Sequence, residues 1–240
     1  MTGVSRNTNR EFTGCDRHLG NEGDDLCLAF ALGVGTPWRH RSLIPGIMML
    51  RVHSAVFTVK NNCPYSIAPA TLTGSGVSVL TGFELESAYS GDCGSGQVGC
   101  NGAGGAPPAT LAEFTIGGAD GKDFFDVSLV DGFNLPVSIV PQDGCAATDC
   151  PVYINANCPS ELAVKNGSGG TVGCKSACEV FGTPEYCCSG DHNTPDKCPP
   201  TDYSRFFKNL CPKAYSYAYD DSTSTFTCNT GTNYVITFCP

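Results

Sequence analysis

Fourteen of the sixteen cysteines in this chain fall between Cys63 and Cys239, and the last lies one residue from the C-terminus. Thiols at this density persist only when oxidised in pairs or bound to metal. Structural zinc sites use short Cys-x-x-Cys or Cys/His pairs, repeated along the chain. Here the gaps are uneven, no Cys-x-x-Cys occurs, and His192 is the one histidine within the cysteine-rich stretch. The spacing predicts a disulfide framework, no metal site, and a protein that works outside the cytosol. Which cysteine pairs with which is not deducible from spacing.

Charged residues are few, at 15%, while 29 glycines and 16 prolines punctuate the chain. That balance fits a turn-rich β protein rather than a helical bundle. The net charge of −9 argues against a nucleic-acid partner, which needs clustered Lys and Arg. A polysaccharide or a cationic protein patch is easier to accommodate. No apolar run is long enough to span a bilayer. No motif for a cofactor stands out: the glycine-rich Asn101–Gly105 lacks the order of a nucleotide loop and reads as a plain loop. Nor does a Ser-His-Asp pattern emerge.

Residues 1–54 read differently from the rest. Met1 to Asp25 is polar, and the short apolar stretch Cys27 to Gly35 follows acidic residues rather than the basic flank of a secretory leader. This segment, with Cys15 and Cys27, is expected to lie outside the domain, either as the product of an incorrect gene start or as a disordered extension. From residue 55 the pattern changes. Ala55 to Asn61 alternates like a half-buried strand, and Leu111 to Ile116, Asp123 to Val130, Leu135 to Val140 and Asn233 to Phe238 are further strands bounded by turn residues. Many short strands between Gly/Pro turns predict a mainly β fold, a sandwich or jelly roll. Residues 151–211 break that rhythm. They carry short helical stretches at Ser176–Val180 and Thr201–Leu210, and too little apolar surface for a core of their own. Bridges must hold this lobe together. The expected layout is a β core over 55–150 and 212–240, with a disulfide-rich, partly helical lobe over 151–211.

Several stretches resemble the plant thaumatin-like proteins of pathogenesis-related group five, the group of thaumatin and the osmotins. They are Pro107 to Phe114, Asp123 to Asn134, Glu185-Tyr186-Cys187-Cys188, Pro200 to Lys208, Cys211 to Tyr217 and the terminal Ile236 to Pro240. The resemblance implies seven bridges: Cys63–Cys239, Cys93–Cys100, Cys145–Cys228, Cys150–Cys211, Cys158–Cys174, Cys178–Cys187 and Cys188–Cys198. One departure is large. Between Glu86-Ser87 and Gly91-Asp92, where this chain has only Ala88-Tyr89-Ser90, members of the family carry a few dozen more residues. Those residues include core strands, an arginine of the family's acidic cleft, and two cysteines that pair with each other. Either an exon is skipped or the protein is a variant without those strands.

The resemblance carries the remaining cleft residues onto Glu113, Asp126, Asp131 and Asp220. Each has a plainer reading beside it. Asp131 precedes Gly132 and reads as a turn residue whose carboxylate caps backbone amides. Asp220-Asp221 reads as a solvated loop. Asp126 alternates against Phe125, Val127 and Leu129, so it should face outward or into a groove. Glu113 is the most informative, because a carboxylate in an otherwise apolar strand is costly unless exposed or partnered. The resemblance implies an extracellular protein, of apoplast or vacuole, with a role in defence against fungi. It is expected to act as a monomer that binds β-1,3-glucan or another fungal surface component through the acidic cleft. The alternative is a weak endo-β-1,3-glucanase with Glu113 and Asp126 as paired carboxylates. No cofactor is implied. Asn166-Gly167-Ser168 is a candidate glycosylation sequon.

Overall fold

The computed structural model describes residues 24–30, 47–52, 55–65, 67, 69–73 and 107–240. The junction at Ala88-Tyr89-Ser90, and Cys93 and Cys100 with it, lies outside the described residues.

Two five-stranded sheets face each other. Their strands are β1 (Asp24–Phe30), β2 (Ile47–Val52), β3 (Ala55–Asn61), β4 (Pro69–Thr73), β5 (Leu111–Gly118), β6 (Lys122–Ser128), β7 (Val137–Pro141) and β8 (Thr148–Cys150). After the hairpin β9 (Ala163–Lys165) and β10 (Thr171–Cys174), β11 (Phe226–Asn229) and β12 (Tyr234–Phe238) complete them. The first sheet runs β11-β6-β5-β1-β4 and the second β2-β3-β12-β7-β8. All pairings are antiparallel except β3 with β12, which lie side by side and parallel. The Cys63–Cys239 bridge fastens the chain just beyond those two strands.

The alternation in β3 and β12 survives as a pattern of burial. Ala55, Phe57 and Val59, and Tyr234, Ile236 and Phe238, point into the space between the sheets. There Phe57 meets Phe114 edge-on at 4.7 Å and stacks on Tyr234 at 5.5 Å, while Phe125 closes on Tyr234 at 5.3 Å. A buried phenol needs a partner. Tyr234 finds one in Asp123, whose Oδ2 accepts its hydroxyl at 2.9 Å and whose Oδ1 accepts the Gly117 amide at 2.8 Å.

The expected boundary at residue 54 does not coincide with an edge of either sheet. β1 lies between β5 and β4, and β2 pairs with β3. Each is a strand-length, largely apolar run, and each covers a strand edge that would otherwise be open.

Between β8 and β11 the chain forms the lobe. Its helices are α1 (Ala177–Phe181), α2 (Pro184–Cys187) and α3 (Asp202–Leu210), with a short α4 (Asp221–Ser224) beyond it. Local sequence sets their ends. Ser176 caps α1 by accepting the Glu179 amide, and α3 starts in a capping box between Thr201 and Ser204. Cys158–Cys174, Cys178–Cys187 and Cys188–Cys198 staple the lobe internally, and Cys150–Cys211 closes its neck. Cys145–Cys228 ties the loop after β7 to β11. Each bridge of this kind typically contributes about 2–4 kcal/mol by restricting the unfolded chain. These six are bridges that the resemblance implied.

The lobe meets the sandwich at a seam. Phe133 and Cys174 exchange two backbone hydrogen bonds of 2.7 Å. Gly132 comes in at φ +84, and a Cβ there would stand 2.6 Å from the Cys174 carbonyl oxygen. Only glycine permits that approach.

Candidate functional site

β5 and β6 form a tight antiparallel pair, and their register sets Glu113 directly opposite Asp126. Ala112, Phe114 and Ile116, with Phe125 and Val127, pack between the sheets. The period of two therefore sends Glu113 and Asp126 to the other face. That face is covered. Glu113 is 7% exposed and Asp126 1%, so of the two settings expected for Asp126, outward or into a groove, the outward one does not hold.

Two carboxylates at directly opposed positions cannot both ionise without cost. Burial, then the charge of Glu113 and a hydrogen bond with it, push the Asp126 carboxyl well above the usual carboxylate range. The shift favours the protonated form of Asp126, the form that can donate to Glu113. Its Oδ1 is shut off from solvent with no hydrogen-bond partner among the described residues.

Asp221 also bears on Asp126 through its charge, and Tyr215 ties the two together. Backbone hydrogen bonds of 2.8 Å from Leu129 to Tyr215 and from Tyr215 to Val127 lay the Tyr215 segment alongside the end of β6. The Tyr215 hydroxyl donates to Asp221 Oδ1 at 2.8 Å and pairs with Thr225 Oγ1. Burial and the neighbouring carboxylates raise that phenol far above its ordinary range. It is therefore a fixed donor.

Asp131 follows the β6 strand end. The turn is closed by the Gly132 amide to the Leu129 carbonyl and by the Val130 amide to Ser128 Oγ. The capping role expected for Asp131 is thus filled by other groups. The residue is half-buried, yet its Oδ2 has no contact with solvent and no partner among the described residues. Desolvation, with the charge of Glu179 on α1, raises its pKa to about 6.

Asp220 is neither a solvated loop residue nor an open anion. It accepts the Ser216 amide at 3.0 Å, Ser216 Oγ at 2.9 Å and Thr223 Oγ1 at 3.2 Å, and Lys208 Nζ of α3 reaches it at 2.9 Å. Of the four expected acidic residues, two meet across β5–β6, one faces Glu179, and one is matched by a lysine. Glu179, Asp221 and Tyr215 are the neighbours that sequence reasoning passed over. Asp221 stood in the acidic pair and Tyr215 in the motif Cys211 to Tyr217, but nothing local marked either. Among the described residues, no three of His, Cys, Asp and Glu converge as metal ligands. The face can accept hydrogen bonds from hydroxyls and attract cationic groups.

The family model described as "Thaumatin family" matches residues 86–240, more than half of the chain. This chain belongs to the thaumatin family. Its mainly β fold, with the disulfide-rich lobe, is the thaumatin-like fold. Thaumatin-like protein 1 of Pyrus pyrifolia is 50% identical over 225 residues, taking in 79% of this chain and 92% of its own length. That share of 240 residues is about 190, so some three dozen aligned positions of the pear protein fall opposite gaps in this chain. A glucan endo-1,3-beta-glucosidase of Prunus avium is 51% identical over 224 residues, covering 78% of this chain and 91% of itself. Pathogenesis-related protein 5 of Arabidopsis thaliana is 46% identical over 224 residues, covering 80% and 92%. A solved structure, the thaumatin-like xylanase inhibitor TLXI, covers 92% of this chain and 97% of its own at 16% identity and TM-score 0.28. That superposition is too loose to transfer residue positions.

Proposed function

We propose that this chain is a secreted plant defence protein that binds β-1,3-glucan, or a similar fungal surface component, at the face carrying Glu113 and Asp126. The observation that carries the reading is the proton-sharing carboxyl pair. The Asp221 carboxylate, exposed beside the pair and oriented by the Tyr215 hydroxyl, is the acceptor that sugar hydroxyls can reach. The kinship with a pathogenesis-related protein supports the defence role, and the name of the cherry relative supports the ligand class. The disulfides support an oxidising compartment such as the apoplast or vacuole.

The cherry relative's name also favours a second reading, weak β-1,3-glucan hydrolysis. Retaining glycosidases hold their two carboxyls about 5–5.5 Å apart and inverting ones about 6.5–9.5 Å apart. Glu113 and Asp126 share a hydrogen bond and are closer than either class requires. Hydrolysis therefore needs a second carboxylate from elsewhere, Asp221 or Asp131.

Retention on insoluble β-1,3-glucan and release of reducing sugar, measured on one preparation, test the proposal. Retention without sugar release, weakened at least tenfold in Glu113→Gln with an unchanged melting curve, supports binding; charge-assisted hydrogen bonds of about 1.5–3 kcal/mol correspond to that loss. Sugar release that disappears in Asp126→Asn supports the hydrolase instead. No retention rejects both.

A further inference from the structure

A groove in the lobe is used by nothing described above. It lies where the end of α2, residues 192–199 and the first turn of α3 meet, and it encloses about 840 Å³. Pockets for small ligands span about 300–1,000 Å³.

Two kinds of surface line it. Tyr186 and Tyr203 supply aromatic rings with centroids 5.8 Å apart. Phe181 buttresses both, at 5.3 Å from Tyr186 and 5.5 Å from Tyr203, and is itself 40% exposed. Around the rings stand two acids, Glu185 and Asp202, and two bases, Lys197 and Arg205. Asp202 holds the Arg205 guanidinium at 2.9 Å, and Glu161 orients the Tyr203 hydroxyl at 2.9 Å.

The fixed charges of this lining cancel, so neither an anion nor a cation is drawn in by net field. What remains is flat apolar surface edged by both donors and acceptors. That combination suits a neutral, polyhydroxylated molecule, whose C–H faces lie on rings while its hydroxyls bridge carboxylates and cationic groups. The frame is stiff as well, because Cys178–Cys187 and Cys188–Cys198 bracket α2. A rigid site loses less entropy on binding.

We propose that this groove is a second binding site, for a neutral oligosaccharide. It shares no residue with the Glu113–Asp126 face, so it does not depend on the function assigned there. Two sites on one chain allow bivalent attachment to a polysaccharide.

The test is an amide NMR titration of the full chain with the hexasaccharides of β-1,3-glucose, β-1,4-glucose and N-acetylglucosamine. Hexagalacturonate serves as the anionic control. Saturable shifts at Tyr186, Lys197 and Tyr203 with at least one neutral sugar are expected. Tyr186→Ala should weaken that binding at least tenfold, read at Lys197 and Tyr203, while Tyr186→Phe keeps it. Lys197→Met, at an exposed position, should weaken it several-fold and is a second probe if the alanine variant misfolds. Glu113→Gln should leave binding at the groove unchanged. Silence at the groove with all three neutral sugars overturns the proposal, as does response to hexagalacturonate alone or full affinity in both Tyr186→Ala and Lys197→Met. Shifts at Glu113 and Asp126 without shifts at the groove reject this site and leave the first reading standing.

Discussion

Asp126 on β6 stands directly across the ladder from Glu113 on β5, and the two carboxyls share one hydrogen bond on a face nearly closed to water. An opposed pair of like charges is destabilising in a sheet. Retaining a proton removes that repulsion and leaves one carboxylate and one acid in contact. Hydrogen-bonding capacity on this face therefore depends on the protonation of Asp126.

Replacing Glu113 by Gln removes the charge that helps hold the Asp126 proton but keeps an oxygen to accept it. The Asp126 pKa should fall, though burial keeps it above the ordinary carboxylate range. Carbon-13 NMR titration of the Asp126 carboxyl measures this directly. An unchanged or higher value in Glu113→Gln contradicts the shared proton.

Asp131 makes stability depend on pH in a defined direction. Its folded pKa of about 6 lies above the ordinary 3.8. A raised value means that its favourable contribution is complete below about pH 4 and is lost as pH rises through 6. Stability should drop by about 2–3 kcal/mol from this group between those limits. Asp131→Asn, which mimics the protonated form, should flatten the profile over that window. Urea melts of both proteins at half-unit pH steps from 4 to 7 make the comparison, and parallel profiles would count against the desolvated carboxyl.

Gly132→Ala should loosen the seam between sandwich and lobe. The new Cβ would meet the Cys174 oxygen at 2.6 Å and Pro108 Cβ at 2.7 Å, in a backbone conformation that L residues disfavour. Crowding and the left-handed φ together should cost about 2–4 kcal/mol. A urea midpoint equal to that of the parent would show that the seam yields easily.

Asn166 sits at the exposed turn between β9 and β10. Its Oδ1 accepts the Ser168 amide, the Ser168 hydroxyl and the Gly170 amide at 2.9–3.1 Å. This Asx turn presents the sequon at the surface. Protein secreted from a plant host should therefore carry a glycan that N-glycosidase removes, and Ser168→Ala should lack it. Identical masses before and after digestion would show the sequon to be unused.

Strands such as Ala55–Asn61 and Tyr234–Phe238 were legible because their alternation is local and burial follows it. Helix α3 was legible because Pro200 and Pro212 bound its run in the sequence. Glu113 was conspicuous for a similar reason, as a charge within an apolar strand. The bridges were not legible from spacing. A chain with this many cysteines allows a large number of pairings, and the resemblance supplied what spacing could not.

By itself, then, the sequence determined a β-rich, disulfide-held, acidic protein with carboxylates at 113, 126, 131 and 220. The fate of each carboxylate was decided only in three dimensions. Asp220 is matched by Lys208 from another helix, Asp131 feels Glu179 across the seam, and Asp126 is paired by strand register with Glu113. The physical reason is common to all three. The ionisation of a carboxyl depends on the solvent it loses and the charges it gains, and both come from segments distant in the chain.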